Sequence, residues 1–246
     1  MSARTILSLS GPDTRDFLQG LVTNDVRKLD QGGLVYAALL TPQGKYLADF
    51  FLVPHGDDIL LDVASDLADG LLKRLSMYRL RADVQIEKTD LDVQRGTGAR
   101  PEGAFADPRH PDMGWRKYGA EGGDDGTNWQ ALRIAHCIPE SGIELTPDSY
   151  ILEAGFEALN GVDFRKGCYV GQEVTARMKH KTELRKGLQV VSVEGNAPVG
   201  TEITAEGKSV GTLLSQDNGQ AIAYLRYDRA KGKALQAGEA QIIWPA

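Results

Sequence analysis

The sequence predicts a multi-domain α+β protein with antiparallel sheets and an all-β C-terminal part. Two observations carry that expectation. The first ninety residues read strand, helix, three strands, helix, strand, and the middle strands are joined by hairpin-length turns rather than helical crossovers. From about Leu184 onward, short apolar runs are separated by Gly, Asn and Pro at close, regular spacing, the pattern of a small sandwich or barrel.

The elements follow in order. TILSLS (5–10) alternates apolar and polar residues, as a half-buried strand does. Gly11-Pro12 breaks it, and Pro12 suits the first turn of a helix whose apolar stripe is Phe17, Leu18 and Leu21. LVYAALL (34–40) reads as a buried strand and TPQG as a turn, with Pro42 and Gly44 in turn positions. YLADFFLV (46–53) and ILLDVA (59–64) are two further strands around the turn HGDD. Ser65 is placed to cap a helix with Leu67, Leu71, Leu72 and Leu75 on one face, and RADVQIEK (81–88) closes the unit as a strand.

Residues 95–128 are rich in Gly, Pro and Asp and read as irregular, mobile loops on a smaller second domain. In WQALRIAHCIPESGIEL (129–145), Trp129, Leu132 and Ile134 are the expected anchors. In the tail, LQVVSVEG, TEITAEG, SVGTLLSQ, AIAYLRY and AQIIWP are the expected strands. The expected domains are 1–90, completed by about 150–182, then 91–149, then 183–246. No internal repeat or low-complexity tract appears.

Composition narrows the function. With 41% hydrophobic and 25% charged residues the chain reads as an ordinary soluble globular protein. Thirty-four acidic against 28 basic residues, a net charge of −6, argue against a dominant nucleic-acid surface, and few Trp and Phe argue against a base-stacking platform. No apolar run approaches the roughly 20 residues of a membrane helix, and the N-terminal MSARTILSLSG lacks a signal peptide's apolar core. Two cysteines, Cys137 and Cys168, are too few for a disulfide framework. The expectation is a cytoplasmic protein with free thiols, without a membrane or nucleic-acid partner; the sequence does not give its oligomeric state.

Some motifs are excluded. Gly207-Lys208-Ser209 lacks the first glycine of a phosphate loop, because Glu202 stands there. Gly96-Thr97-Gly98 lacks the third glycine of a dinucleotide turn. His55, His110, His136 and His180 form no zinc-type spacing with each other or the cysteines, so no resident metal is expected.

One stretch points to chemistry, RKGCYVGQEVTAR from Arg165 to Arg177. Lys166 precedes Cys168 by two, so in an extended segment both side chains share a face, and a nearby ammonium favours the thiolate. Gly167 and Gly171 permit a tight turn or close backbone approach. Gln172 and Glu173 can fix a polar group, and Arg177 can pair with a carboxylate or with Glu173. Spacing alone leaves open the alternative of a small buried cysteine in a turn.

The octapeptide Lys166-Gly167-Cys168-Tyr169-Val170-Gly171-Gln172-Glu173, with Thr175 and Arg177 after it, resembles the signature of the YgfZ family, folate-binding proteins of iron–sulfur cluster assembly. DFLQGLVTNDV (16–26), TPQGKYLADFFLV (41–53), ILEAGFEALNGVDF (151–164) and RKGL (185–188) extend the resemblance, which fades across about 90–128. That family is similar in fold to the glycine cleavage T-protein, a tetrahydrofolate-dependent aminomethyltransferase. The resemblance implies a T-protein-like multi-domain fold with a small C-terminal β-barrel and a tetrahydrofolate or derivative as cofactor.

It also implies site roles. Glu153 matches the carboxylate that holds the pteridine, Asp49 lies near the T-protein's catalytic aspartate, and Tyr36 belongs to the channel wall. Cys168 and Lys166 are the reacting pair, supported by Gly167, Tyr169, Gly171, Gln172, Glu173 and Arg177. Implied partners are an A-type iron–sulfur carrier or client iron–sulfur proteins. The expected function is a tetrahydrofolate-binding accessory factor for cluster assembly or repair, assisting rather than catalysing. The alternatives are a folate-dependent aminomethyl or one-carbon transferase, and a scaffold with a structural cysteine.

Overall fold

The computed structural model describes residues 3–181 and 183–245; the expected domain limits at 1, 182 and 246 fall outside them. The chain divides into two compact units, one of Met1–Thr127 with Phe156–Ala176, the other of Asn128–Gly155 with Arg177–Ala246.

The first unit opens with β1 (Arg4–Ser10) and the short α1 (Thr14–Gln19), followed by a 3-10 turn whose cap Asp25 accepts from the Arg27 amide. Pro12 lies just before the α1 cap Asp13 rather than inside the helix. Then come β2 (Val35–Leu40), β3 (Tyr46–His55), β4 (Asp58–Ala64), α2 (Ser65–Arg79) and β5 (Gln85–Lys88). The strands form one antiparallel sheet in the order β2-β3-β4-β1-β5, as the hairpin-length turns foretold.

Leu71 and Leu75 of α2 are buried against Leu7, Leu9, Phe50, Leu52 and Leu61, with Leu67 and Leu72 packed at the margin. Ser65 is not a side-chain cap. It is the first helical residue, and its Oγ lies 2.9 Å from Thr5 Oγ1 on β1, which diverts it from the free amides of the helix start.

The loop expectation for 95–128 needs correcting. β6 (Asp92–Gly96), β7 (Phe105–Ala106), β8 (Trp115–Gly119) and β9 (Gly123–Asp124) make a second, four-stranded sheet in the order β7-β8-β6-β9. The boundary expected near residue 90 therefore falls inside the first unit. Side chains of β8 explain why: Arg116 Nη1 and the Tyr118 hydroxyl both reach Asp62 Oδ2 on β4, at 2.8 and 2.9 Å, joining the two sheets.

The second unit holds α3 (Trp129–Ala135), with Trp129 and Ile134 buried and Leu132 half-buried. α4 (Gln172–Lys181) carries the chain from the first unit into the second. β10 (Lys186–Glu194), β11 (Glu202–Ala205), β12 (Lys208–Asp217), β13 (Gln220–Arg226), the one-turn α5 (Tyr227–Ala230), β14 (Leu235–Ala237) and β15 (Ala240–Ile243) follow. The six strands close into a barrel in the order β10-β13-β12-β11-β14-β15, which leaves no open sheet edge. Val191, Ile203, Leu213, Leu225 and Ile242 fill its interior. Lys208 begins a strand after a turn at Gly207, so the rejected phosphate-loop reading has no helix behind it.

Candidate functional site

The RKGC segment is stitched to the loop that follows α1. Thr23 Oγ1 donates to the Gly161 carbonyl at 2.7 Å, and the Asp163 amide donates to the Thr23 carbonyl at 3.0 Å. Asn24 Nδ2 donates to the carbonyls of both Asn160 and Tyr36, each at 2.7 Å. Lys28 forms an ion pair with Asp163 at 2.6 Å, and Asp163 Oδ1 in turn accepts from the Arg165 amide at 2.7 Å. LVTNDV and ALNGVDF, far apart in sequence, are one bonded structure.

Lys166 completes the seam. Its ammonium donates to the carbonyls of Gln19, at 2.7 Å, and of Val22, where the turn after α1 leaves acceptors unpaired. It also lies 5.0 Å from the centroid of the Tyr169 ring. Burial lowers its pKa to about 8, with Asp25 and Asp163 opposing the shift. Tyr169 is buried too, and burial raises its phenol to about 12.

Between these anchors Gly167 and Cys168 are exposed, and Cys168 is a free thiol. The same-face expectation for Lys166 and Cys168 is thus corrected. The segment is bent rather than extended, one side chain turns inward and the other outward, and the ammonium is spent on carbonyl oxygens. Gly171 is needed on two counts, a φ of +84° and a Cβ position 2.6 Å from the Thr41 carbonyl; at Gly167 nothing lies within 4 Å. Gln172 and Glu173 start α4, half-buried and exposed respectively, while Arg177 is exposed on the part of α4 in the second unit.

Tyr36 and Asp49 meet inside the first unit. The Tyr36 hydroxyl donates to Asp49 Oδ2 at 3.0 Å and the Tyr46 hydroxyl to Oδ1 at 2.6 Å. Burial, then the Asp49 charge, push the Tyr36 phenol well above its ordinary value. Its ring stacks on Phe156, with centroids 5.1 Å apart, beneath the Arg109 guanidinium at 5.6 Å. Tyr36 is fully buried and Asp49 is 7% exposed, and each Asp49 oxygen accepts one tyrosine hydroxyl, so the two expected site residues form a bonded internal pair.

Glu153 belongs to the second unit. Its Oε2 accepts from the Tyr224 hydroxyl at 2.5 Å and lies 3.6 Å from Lys186 Nζ, and its carbonyl accepts from the Leu188 amide at 2.8 Å. Strand pairing sets Lys186 opposite Arg226 and Leu188 opposite Tyr224, so Lys186, Arg226 and Tyr224 share one face of β10–β13. Burial and Glu153 raise the Tyr224 phenol, which keeps it a donor. Glu153, Met178, Arg185, Lys186 and Arg226 line a cleft of about 290 Å³.

Sequence reasoning missed Thr23, Asn24, Lys28 and Asp163. The signal was a polar run, Thr-Asn-Asp, directly after an apolar helix end, where side chains commonly bond local backbone.

Comparison with known proteins places these features. Residues 185–245 match the C-terminal β-barrel domain of CAF17. The mouse mitochondrial iron–sulfur cluster assembly factor IBA57 is 30% identical, with 99% of this chain and 81% of that protein aligned. The chain belongs to the IBA57 family. The human IBA57 is 32% identical over 94% of this chain and 78% of its own length. The IBA57 homologue of Mycosarcoma maydis is 35% identical over 77% of this chain and 55% of its length, so the chain spans only about half of that relative.

The chain also shares its fold with the glycine cleavage system aminomethyltransferase T of Bartonella henselae, at a TM-score of 0.75 and 14% identity, over 97% of this chain and 81% of that one. The T-protein-like α+β fold with a terminal barrel is therefore established. The cytoplasmic expectation is corrected: the mouse, human and Mycosarcoma maydis relatives are all mitochondrial proteins by name, so a compartment inferred from composition does not stand.

Proposed function

We propose that this IBA57-family chain is an accessory factor in iron–sulfur cluster assembly or repair, that it works through the exposed Cys168 thiol, and that it binds a folate at the Glu153 cleft. The observation that carries the reading is Cys168, a free and exposed thiol held between two buried anchors, Lys166 and Tyr169. The names of its relatives supply the process. An exposed thiol can lose its proton to solvent and bind iron of a cluster in transit, while Lys166 fixes the loop rather than the proton. One cysteine cannot hold a cluster alone, since cluster sites take several ligands, so the partner supplies the rest; an A-type carrier or a client iron–sulfur protein fits. In cells lacking the endogenous factor, Cys168→Ser should fail to restore cluster-enzyme activity at equal protein level. Full restoration would end the thiol role.

The folate half rests on the cleft. At about 290 Å³ it lies at the lower limit of small-molecule pockets, about 300 Å³. Glu153 is a carboxylate suited to the paired N–H groups of an aminopyrimidine edge, and Arg185, Lys186 and Arg226 offer cations for folate carboxylates. Tetrahydrofolate should bind the wild type and bind Glu153→Ala at least about tenfold more weakly, a loss of about 1.4 kcal/mol. No binding to either protein would remove the folate and leave the thiol proposal standing.

The transferase alternative ranks second. The fold likeness favours it, but Asp49 is buried with both oxygens occupied by tyrosines. Methylene-tetrahydrofolate formed from an aminomethyl donor would restore it.

A further inference from the structure

The first unit carries a surface that neither the thiol loop nor the cleft explains. Leu39, Leu47, Leu67, Gly70, Leu71 and Arg74 border a slot of about 140 Å³ between α2 and the β2–β3 strands. Gly70, Arg74 and Met77 fall at i, i+4 and i+7 on α2, so the helical stripe that borders the slot continues past it to Met77 in the helix's C-terminal half. There Met77 is 68% and Leu80 88% exposed, the two most exposed large apolar side chains among the described residues. Leu80 has a φ of +45°, a backbone region that a bulky side chain rarely enters, and this conformation ends the helix with its side chain in solvent.

Charge and a glycine give the surface a meaning. From Gly70 to Ala82 the chain has Lys73, Arg74, Arg79 and Arg81 and no acidic residue, although the whole chain is −6. Arg79 is spent on the Val84 carbonyl at 3.0 Å, while Lys73, Arg74 and Arg81 are exposed and have no carboxylate partner among the described residues. Cations suit a helix C-terminus, but that does not account for Met77 and Leu80. Nor does the fold account for Gly70. It sits inside a helix, where glycine is unfavourable, yet a Cβ there would meet nothing within 4 Å. What its missing side chain does is keep the slot open.

We propose that this slot and the C-terminal half of α2 form a docking site for a segment of a partner protein that carries one large apolar side chain with carboxylates to one side of it. The apolar side chain enters beside Gly70, the carboxylates meet Lys73, Arg74 and Arg81, and Met77 and Leu80 cover the contact. Asp66, at the other end of the slot, sets the orientation by repelling the acidic end. A protein segment fits better than a bilayer. The site is concave, and Leu71 and Leu75, the apolar stripe that a membrane-surface helix would need, are buried in the core.

The test uses the full chain against an array of short synthetic peptides of about a dozen residues, acidic, basic or neutral, with and without large apolar side chains. Retained peptides should be acidic and contain a Leu, Met or Phe. Binding of the best one, followed by fluorescence anisotropy, should weaken about tenfold or more in Arg81→Glu and in Gly70→Leu. Thermal stability of Gly70→Leu should be unchanged or higher, which separates a filled slot from misfolding. No preference for acidic, apolar peptides, or binding indifferent to both substitutions, overturns the proposal. Binding to phosphatidylserine-containing vesicles that Leu80→Ser abolishes assigns the surface to a membrane instead. Self-association in sedimentation velocity that Leu80→Ser abolishes assigns it to a second copy of the chain.

Discussion

Cys168 owes its exposure to its neighbours. Two residues before it Lys166 is tied to the end of α1, and one residue after it Tyr169 is buried, so the backbone between must turn its side chain outward. Cys137 is the contrasting case: burial and the Glu144 charge raise its thiol to about 12. Iodoacetamide near neutral pH should therefore label one thiol in the native protein, and Cys168→Ser should abolish that labelling. Two labelled thiols, or labelling that survives the substitution, would refute the assignment. Lys166 is also a titration probe. Its folded value of about 8 is below the ordinary 10.5, so the folded state sheds its proton first and stability rises with pH between those values. The slope can reach roughly 1.4 kcal/mol per pH unit. Lys166→Met should remove that rise in denaturant titrations at pH 8 to about 9.5, below the usual tyrosine range, and should speed amide exchange across 164–170, where the loop has lost its anchor.

Two glycines at the element scale have opposite roles. Gly70 sits in α2 with open space around it, so Gly70→Ala should stabilise the protein by about 1 kcal/mol, read from urea midpoints. Gly171 precedes α4 with φ +84° and the Thr41 carbonyl 2.6 Å from its Cβ position, so Gly171→Ala should destabilise by roughly 1–3 kcal/mol. The same contrast marks how far sequence reaches. β2 and β3 were legible because every residue of VYAALL is buried and the turn after it is Gly-containing. The β6–β9 sheet was not, because its strands are two to five residues long and separated by Gly- and Pro-rich turns that dominate composition. β14, three residues long, escaped for the same reason. At the site, the KGCY motif marked the loop. The inward turn of Lys166 was not legible, since alternation in an extended segment predicts the reverse and only the carbonyls after α1 decide it.

Across the whole molecule, each unit contains arginines buried against carboxylates. In the second, Arg133 lies within 3.1 to 3.2 Å of Glu144 and Glu140. In the first, Arg4, Asp62, Arg116, Asp107 and Arg109 form a chain of contacts from 2.6 to 3.2 Å, with Arg116 and Arg109 stacked on Phe51 at 4.1 and 4.8 Å. Such a chain adds little over an apolar core when whole, but removing one member strands a buried charge. Burial alone would raise Asp107; the Arg109 and Arg116 guanidiniums overcome it and hold the carboxyl at about 2, against 3.8 ordinarily. The folded value lies below the unfolded one, so this stabilisation is complete above about pH 4 and is lost as pH falls towards 2, a span worth about 2 kcal/mol. Asp107→Asn should therefore destabilise the first unit by about 3 kcal/mol at pH 7 and flatten its pH dependence, so that the gap between the two proteins narrows by about 2 kcal/mol towards pH 2. Urea unfolding followed through Trp115, in a Trp129→Phe, Trp244→Phe background, reports on that unit alone. A gap that persists undiminished at pH 2 would mean that Asp107 stabilises through packing and not through its charge.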